Sequence, residues 1–415
     1  MKVLIIASMF PATVTKVLFG TDITDRAGWI NSTVHYLENE KNIELTYLVP
    51  KQANESLQTI RLINTMTFCQ FAYATVEDIK PFFLNNHFDV IHVFGAEYTY
   101  IKDIYSFLPL ERTLFYIQGL IEPYYERYLA DLDQFKEMDP ITLAVIRYTA
   151  KLFRKRGEGE SLVYPNAKHV AGRTAWDKAY VDKVNKDYTY HYLSESLRDS
   201  FYEGKTWDRT TCVPHTIFMS QGNYPIKGLH MALRIMKRVK EDYPDIVLNV
   251  GGPNLYTETS LATKLGISYV SFIKRLIRTY KLEENVHFLG MLDEKQVKDQ
   301  LLKANLFLSP SSIENSPNSL QEAMLTGTPC ISSDVGGVRS IVTDENQCLL
   351  YPFEDTDAAA KKIMGIFEDS DLQQRLSENG RNRALVTTDR SVNGKTLIEI
   401  YRSICQSLEQ ASKMV

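Results

Sequence analysis

The sequence predicts an α/β protein built on parallel sheets, and three observations point to it. Short, continuous apolar runs of strand length recur along the chain, as at Val3–Ala7, Asp89–Gly95 and Ala304–Leu308. Each ends in a loop, and several of those loops lead into an amphipathic helix. At 415 residues the chain has room for two such domains, each with a large core.

Composition narrows the class. The charged fraction of 24% and hydrophobic fraction of 44% are those of an ordinary soluble globular protein. A formal charge of -4 carries no sign of a nucleic-acid partner. Cys69, Cys212, Cys330, Cys348 and Cys405 are scattered, odd in number and without metal spacing, so they read as reduced cytoplasmic thiols. Lys2–Ala7 is too short for a signal peptide, and no run reaches membrane-span length.

In chain order, Val3–Ala7 is followed by Ser-Met-Phe-Pro-Ala-Thr, not by the glycine-rich turn of a dinucleotide fold, which disfavours a dehydrogenase. A long loop delivers Arg26-Ala-Gly28-Trp29-Ile30 to a helix running to about Glu38. Ile43–Val49 and Asp89–Gly95 are further strands, with helical or loop material expected between them. His92 reads as a core histidine. Gly95-Ala-Glu97-Tyr98, at the strand's carboxyl end, is the better candidate for lining a ligand cleft. Thr113–Leu120 is a strand and loop containing Gln118-Gly119. Lys168–Asp177 reads as a strand end meeting a helix start. A domain boundary is expected between Tyr202 and Thr211, giving domains 1–205 and 206–388 and a terminal helix within 389–415.

The second domain opens with the strand Thr216–Ser220. Lys227 lies at the amino end of the amphipathic helix Leu229–Val239, where free N–H groups suit a diphosphate. Val247–Val250 with Gly251-Gly252-Pro253, and Val286–Leu289 with Gly290-Met291-Leu292, are strand–loop units. After Ala304–Leu308, Ser316 is the expected N-cap and Pro317 the first helical residue, with Asn318 and Ser319 in the first turn. Gly327 and Pro329 stop this helix. Glu314 then lies in the loop at the strand's carboxyl end, and Glu322 about two turns into the helix. Two carboxylates flanking an anion-binding helix end suit a ligand with sugar, diphosphate and ribose in line, because a carboxylate accepts from two neighbouring hydroxyls at once. Asp-x-Asp triplets at Asp131–Asp133, Asp355–Asp357 and Asp369–Asp371 read as solvated surface charge, and no metal site is expected.

The stretch from Glu314 to Gly337 resembles glycosyltransferase family 4, the retaining enzymes of the GT-B fold. Glu314 and Glu322 match its Glu-seven-residues-Glu signature, followed in order by Gly-Thr-Pro and Asp-Val-Gly-Gly. The resemblance implies two Rossmann-like domains facing across a cleft, with the C-terminal helix crossing back to the first. It implies that Glu314 holds the donor sugar and Glu322 the nucleotide ribose, with Gly252, Gly290 and Met291 near the nucleotide. Ala27 and Gly28 stand where the family has a glycine pair close to the donor's phosphates and the acceptor, so only Gly28 carries over, with Trp29 beside it as a further candidate substrate-binding residue. Gln118-Gly119 stands where the family often has His-Gly; a glutamine donates a hydrogen bond but carries no titrating proton. Ser340 stands where a glutamate is frequent. Lys227 lacks the arginine that usually accompanies it, the sequence there being Gln221-Gly222-Asn223. Arg173 is the candidate replacement cation and Arg198 the runner-up; a plain salt bridge from Arg173 to Asp177 is the structural alternative. Gly172-Arg-Thr, Trp176-Asp177 and Leu197–Tyr202 resemble a bacterial polysaccharide subgroup.

The implied reaction moves a hexose from a nucleoside-diphosphate sugar to a hydroxyl of a glycan or lipid-linked acceptor, with retention. It needs no cofactor, the nucleotide sugar being a substrate. A nucleotide-sugar epimerase of related fold and a non-catalytic nucleotide-binding partner are the rival readings. In the helix Pro140–Arg156, Ile141, Val145, Tyr148 and Leu152 form an apolar stripe, with Arg147, Lys151, Arg154, Lys155 and Arg156 as basic residues. Such a helix fits an ordinary surface or peripheral contact with the inner face of the plasma membrane.

Overall fold

The structure is a computed structural model that describes residues 1–11, 15, 28–51, 59–63, 66–72, 76–343 and 345–413. Ala27 and most of the loop before Gly28 lie outside these residues; the backbone of Gly28 and Trp29 opens the helix Gly28–Glu38. The chain divides into two compact units. The first comprises residues 1–121, 154–198 and 388–415, and the second 122–153 and 199–387.

The first unit holds β1 (Lys2–Ile6), β2 (Glu44–Lys51), β3 (Thr59–Ile63), β4 (Met66–Ala72), β5 (Val90–Phe94), β6 (Thr113–Tyr116), β7 (His169–Gly172) and β8 (Thr189–Tyr192). They form one sheet in the order β3-β4-β2-β1-β5-β6-β7-β8. Every neighbouring pair is parallel except β3 and β4. Where helical or loop material was expected after Val49, the chain forms β3, β4 and the helix Val76–Asn85. The run Met-Thr-Phe-Cys-Gln-Phe-Ala carries strand-favouring residues, and β4 pairs along all of its length with β2.

The terminal helix, Arg390–Lys413, belongs to this unit. Its Leu397, Ile398, Ile400, Tyr401 and Ile404 share a core with Val3 and Ile5 of β1 and with Ile30, Val34 and Leu37 of the helix Gly28–Glu38. Gly394 lets the two helices touch: a Cβ there would overlap the ring of Tyr36. His92 is a core histidine, as expected. It is fully buried, burial lowers its pKa to about 3, and its Nδ1 shares a 2.7 Å hydrogen bond with the Tyr401 hydroxyl.

The second unit holds β9 (Thr216–Met219), β10 (Val247–Gly251), β11 (Val286–Gly290), β12 (Leu306–Ser309), β13 (Cys330–Ser333) and β14 (Leu349–Tyr351). All pair in parallel, in the order β11-β10-β9-β12-β13-β14. Renumbered within the unit this is 3-2-1-4-5-6, the nucleotide-binding strand order, with its switch point between β9 and β12. Residues 122–153 join this unit through specific bonds. Nε2 of the buried His230 lies 2.7 Å from the carbonyl oxygen of Ala130, the Arg234 guanidinium covers the Phe135 ring at 3.4 Å, and Arg275 pairs with Asp139 at 2.8 Å. The chain thus passes between units at 121/122, 153/154, 198/199 and 387/388. The last two lie near the expected divisions, whereas the first two carry no linker-like composition.

Replacing Tyr401 by Phe leaves Nδ1 of His92 buried without its partner. This should cost about 1–3 kcal/mol of stability, measurable by urea unfolding.

Candidate active site

The expected donor-side residues gather at the switch point of the second sheet. After β9 the chain runs through Gln221-Gly222-Asn223, where Gln221 Nε2 donates to Asn223 Oδ1 at 2.9 Å, and makes one 3-10 turn, Pro225–Lys227. Gly228 follows at φ +69°, and the helix Leu229–Val239 begins. The loop after β12 presses so close that a Cβ on residue 228 would overlap the carbonyl oxygen of Pro310. Only glycine satisfies both demands. The Ser312 N–H donates to the Ile226 carbonyl at 2.8 Å, tying the two loops together.

Lys227 and Glu314 meet there. Nζ of Lys227 lies 2.6 Å from Oε1 of Glu314, and the Ser311 hydroxyl donates to the same oxygen at 2.7 Å. The lysine side chain is 22% exposed and the glutamate's 9%, so water screens the pair only weakly. Burial works against the lysine's charge; the Glu314 carboxylate, with Tyr224 and Tyr124 behind it, outweighs that and holds its pKa above that of a free lysine. The Glu314 backbone is fixed as well. Its carbonyl accepts from Gly337 N–H at 2.9 Å, and Gly336, at φ +53°, lies so close that a Cβ would overlap that oxygen.

The helix after this loop spans Asn318–Thr326, with Pro317 in the N-cap position rather than Ser316. The extended ψ of Pro317, 106°, keeps it outside the helix, so helical geometry starts one residue later than expected. Glu322 therefore sits just past the first turn. It is 8% exposed, close to the 7% of Glu314. Gly327 ends the helix in the left-handed region, φ 83°. Ser316 is buried, with its Oγ 3.4 Å from Gln321 Nε2, and Asn318 and Ser319 are half-buried. Gly252 and Gly290, at φ +89° and +79°, turn the chain at the ends of β10 and β11, and Met291 beyond them is 70% exposed. Two of the Asp-x-Asp triplets are helix caps: Asp355 accepts from Ala358 N–H, and Asp369 from Asp371 and Leu372 N–H.

One residue here had no sequence signal. Tyr124, from the segment 122–153, accepts the Asn315 N–H at 3.0 Å, beside Lys227 and Glu314. Burial first, and then the Glu314 carboxylate, raise its pKa, so the hydroxyl stays protonated. The same segment brings Arg127, whose carbonyl accepts from the Ser312 hydroxyl and whose guanidinium lies over Phe353. With Asp334, Gly336 and Glu354 these residues line a cavity of about 290 Å³ behind the Glu314 loop.

Gln118, Gly119 and Arg173 belong to the first unit, as do Gly28 and Trp29. Arg173 is 5% exposed and committed. Its Nη1 is 2.6 Å from Glu195, which is fully buried, its Nη2 donates to the Gln118 carbonyl at 3.0 Å, and its guanidinium lies near the Tyr116 ring. Asp177, the partner considered from sequence, instead accepts the backbone N–H groups of Arg173 and Thr174 and closes a capping box with Thr174. The carboxylate that pairs with Arg173 comes from beyond β8.

Two α/β units with mainly parallel sheets, the second in nucleotide-binding order with a cation and carboxylates at its switch point, are the GT-B fold. Residues 214–383, within the second unit, match the family model described as Glycosyl transferases group 1. The phosphatidyl-myo-inositol mannosyltransferase of Mycolicibacterium smegmatis is 21% identical over 351 residues, covering 81% of this chain and 76% of that one. The uncharacterized glycosyltransferase YqgM of Bacillus subtilis is 24% identical over 43% of this chain. The matched stretch is less than half the length of the Bacillus subtilis relatives, 43% and 46%. Among solved structures, sucrose-phosphate synthase from Thermosynechococcus elongatus shares the fold with TM-score 0.72 and 17% identity, over 98% of this chain and all of that one. Anabaena HepE in complex with UDP and glucose follows at 0.66 and 12%, over 97% and 100%.

Removing Arg173 strands the buried Glu195. The variant Arg173→Ala should lose about 3–5 kcal/mol of stability, by thermal or urea unfolding. That is the opposite of what an open, phosphate-facing arginine would give.

Proposed function

We propose that the protein is a retaining glycosyltransferase that moves a hexose from a nucleoside-diphosphate sugar to a hydroxyl of a glycan or lipid-linked acceptor, in cell-surface polysaccharide synthesis. The Lys227–Glu314 contact at the second sheet's switch point carries this reading. A diphosphate entering beside the helix Leu229–Val239 meets an ammonium held charged by its surroundings. It takes Lys227 from Glu314 and frees that carboxylate to accept sugar hydroxyls. Glu322 accepts from the ribose.

In the reaction the C1–O bond to the β-phosphate breaks, and the acceptor oxygen bonds to C1 on the same face. The acceptor's proton passes to an oxygen of the departing diphosphate, so no protein base is needed. Negative charge grows on the diphosphate as the bond breaks, and Lys227 opposes it most strongly at that stage. Arg173, held by Glu195, takes no part in this charge balance. Mannosyl transfer to a phosphatidylinositol, named for one relative, is an instance of the lipid-linked acceptor class.

Binding screens of UDP, GDP and ADP and of their sugars test the donor class. Glu322→Ala should weaken nucleoside diphosphate by roughly 1.5–3 kcal/mol, the worth of a charge-assisted hydrogen bond. Glu314→Ala should leave that affinity nearly intact and depress turnover. Equal loss of free nucleotide in both variants would refute the division of roles.

The helix Pro140–Arg154 supports a membrane-surface acceptor. It packs through Thr142, Ile146 and Ala150, and turns the expected apolar stripe outward, with Ile141 64%, Tyr148 63% and Leu152 45% exposed. Arg147, Lys151, Arg154, Lys155 and Arg156 are exposed with it. Among the described residues no helix is long and apolar enough to cross a membrane. Such a face suits the surface of an anionic bilayer, where each basic residue adds about 1 kcal/mol. Converting Arg154, Lys155 and Arg156 to Gln should weaken binding to phosphatidylglycerol vesicles at least tenfold; absence of vesicle binding by the parent protein would end the proposal.

A further inference from the structure

The cavity of about 290 Å³ behind the Glu314 loop has no part in the donor chemistry above: Lys227, Glu314 and Glu322 do not line it. It lies at the carboxyl ends of the second sheet's strands, displaced from the switch point toward β14. The loops after β12, β13 and β14 supply residues 312–313, 334–336 and 352–354 of its lining. Arg127 completes it, from the segment 122–153 of the same unit.

The lining is graded from floor to rim. Ser312, Ile313 and Phe353 are buried, whereas Arg127, Pro352 and Glu354 are exposed. The Ser312 hydroxyl donates to the Arg127 carbonyl at 2.9 Å, and the Arg127 guanidinium lies 5.5 Å from the centre of the Phe353 ring. The arginine is thus held at the rim by both its backbone and its side chain. Charges there are matched. Asp334 has Arg339, whose Nε lies 2.9 Å from its Oδ2, and Arg127 and Glu354 are of opposite sign. Asp131, within electrostatic reach of Arg127 and Glu354, is answered in turn by Arg234.

A rim of balanced charge repels an ionic ligand about as much as it attracts one. A neutral, hydroxyl-rich ligand can use both signs, because a guanidinium donates to hydroxyl oxygens and carboxylates accept hydroxyl protons. Ile313, Val335 and Pro352 offer apolar surface to the C–H face of a pyranose ring. Small-molecule pockets run from roughly 300 to 1,000 Å³, so a cavity of about 290 Å³ suits one sugar ring and not a nucleotide sugar.

We propose that this cavity is a second carbohydrate subsite, taking one neutral hexose unit through Arg127, Asp334 and Glu354. It goes beyond the glycosyl-transfer reading: no bond changes there, and it stands or falls separately from catalysis. Ile313 and Gly336 line it from either side of the donor loop. The Glu314 carbonyl accepts from Gly337 N–H at 2.9 Å, and Gly336 lies against that carbonyl. A sugar in the cavity therefore packs against the back of the loop that carries Glu314 and slows its opening.

Amide hydrogen exchange read by mass spectrometry tests this, with methyl α-D-glucopyranoside, methyl α-D-mannopyranoside and methyl α-D-galactopyranoside as probes. At least one probe should slow exchange in peptides covering residues 334–337 at least threefold, and equally so with UDP, GDP or ADP present. By saturation-transfer NMR titration, Arg127→Ala and Glu354→Ala should each weaken that probe at least fivefold, with the thermal unfolding midpoint unchanged. The exchange measurement on the parent requires no variant and stands if a substitution impairs folding. No protection of 334–337 by any probe, protection confined to the first unit, or displacement of the probe by a nucleoside diphosphate overturns the subsite. Parent-like affinity in both variants does the same, and tighter binding of glucose 1-phosphate than of every neutral probe overturns the neutral class.

Discussion

The contact between Lys227 and Glu314 is the constraint around which the second unit is arranged. It requires two loops from non-consecutive strands, β9 and β12, to approach within bonding distance, and each approach is bought with a glycine. Gly228 lets the first turn of a helix press onto the Pro310 carbonyl, and Gly336 lets the next loop lie against the Glu314 carbonyl. Neither position tolerates a side chain. The ion pair is thus a readout of loop geometry: it forms only if both backbones are placed correctly. The carboxylate does not depend on the lysine alone, since the Ser311 hydroxyl donates to the same oxygen.

The first unit treats charge differently. Arg173 and Glu195 are sealed in, with Asp177 organising the start of the neighbouring helix through backbone N–H groups. Such a pair cannot be released to a ligand without leaving a bare buried charge. Its part is to hold the Gln118 carbonyl, and through it the chain just after β6, in place. The partly exposed pair Lys227–Glu314 and the sealed pair Arg173–Glu195 thus stand at opposite extremes of access to solvent.

Much of this was legible in the sequence, and the failures have physical causes. Residues whose role depends on local backbone could be read directly. Gly327 had to stop a helix, Lys227 had to lie just ahead of one, and the Glu314 and Glu322 spacing had to straddle a strand end and the helix after it. Contacts made across the chain could not be read. Tyr124 reaches Asn315 over 191 positions, and nothing in its neighbourhood announces that. Arg173 had an acidic residue one turn away, which is the natural local guess, but its partner Glu195 arrives from beyond β8. The helix Pro140–Arg154 shows the limit most clearly. Periodicity revealed a helix and its apolar stripe, but it does not say which face the core takes. The core took Thr142, Ile146 and Ala150, one residue around, and left the more hydrophobic stripe outside.

The placement of the terminal helix has a consequence for how the chain is made. Val3 and Ile5 leave the ribosome long before Leu397, Tyr401 and Ile404, which complete their core. At about 5–20 residues per second, synthesis separates the two by roughly 20–80 s. Throughout that time one face of β1 and of the helix Gly28–Glu38 lacks its final cover. Residues 122–153 likewise wait for the strands of their own unit. The nascent protein must therefore be held soluble with β1 half-covered, and its first unit closes only after Leu397, Tyr401 and Ile404 have emerged.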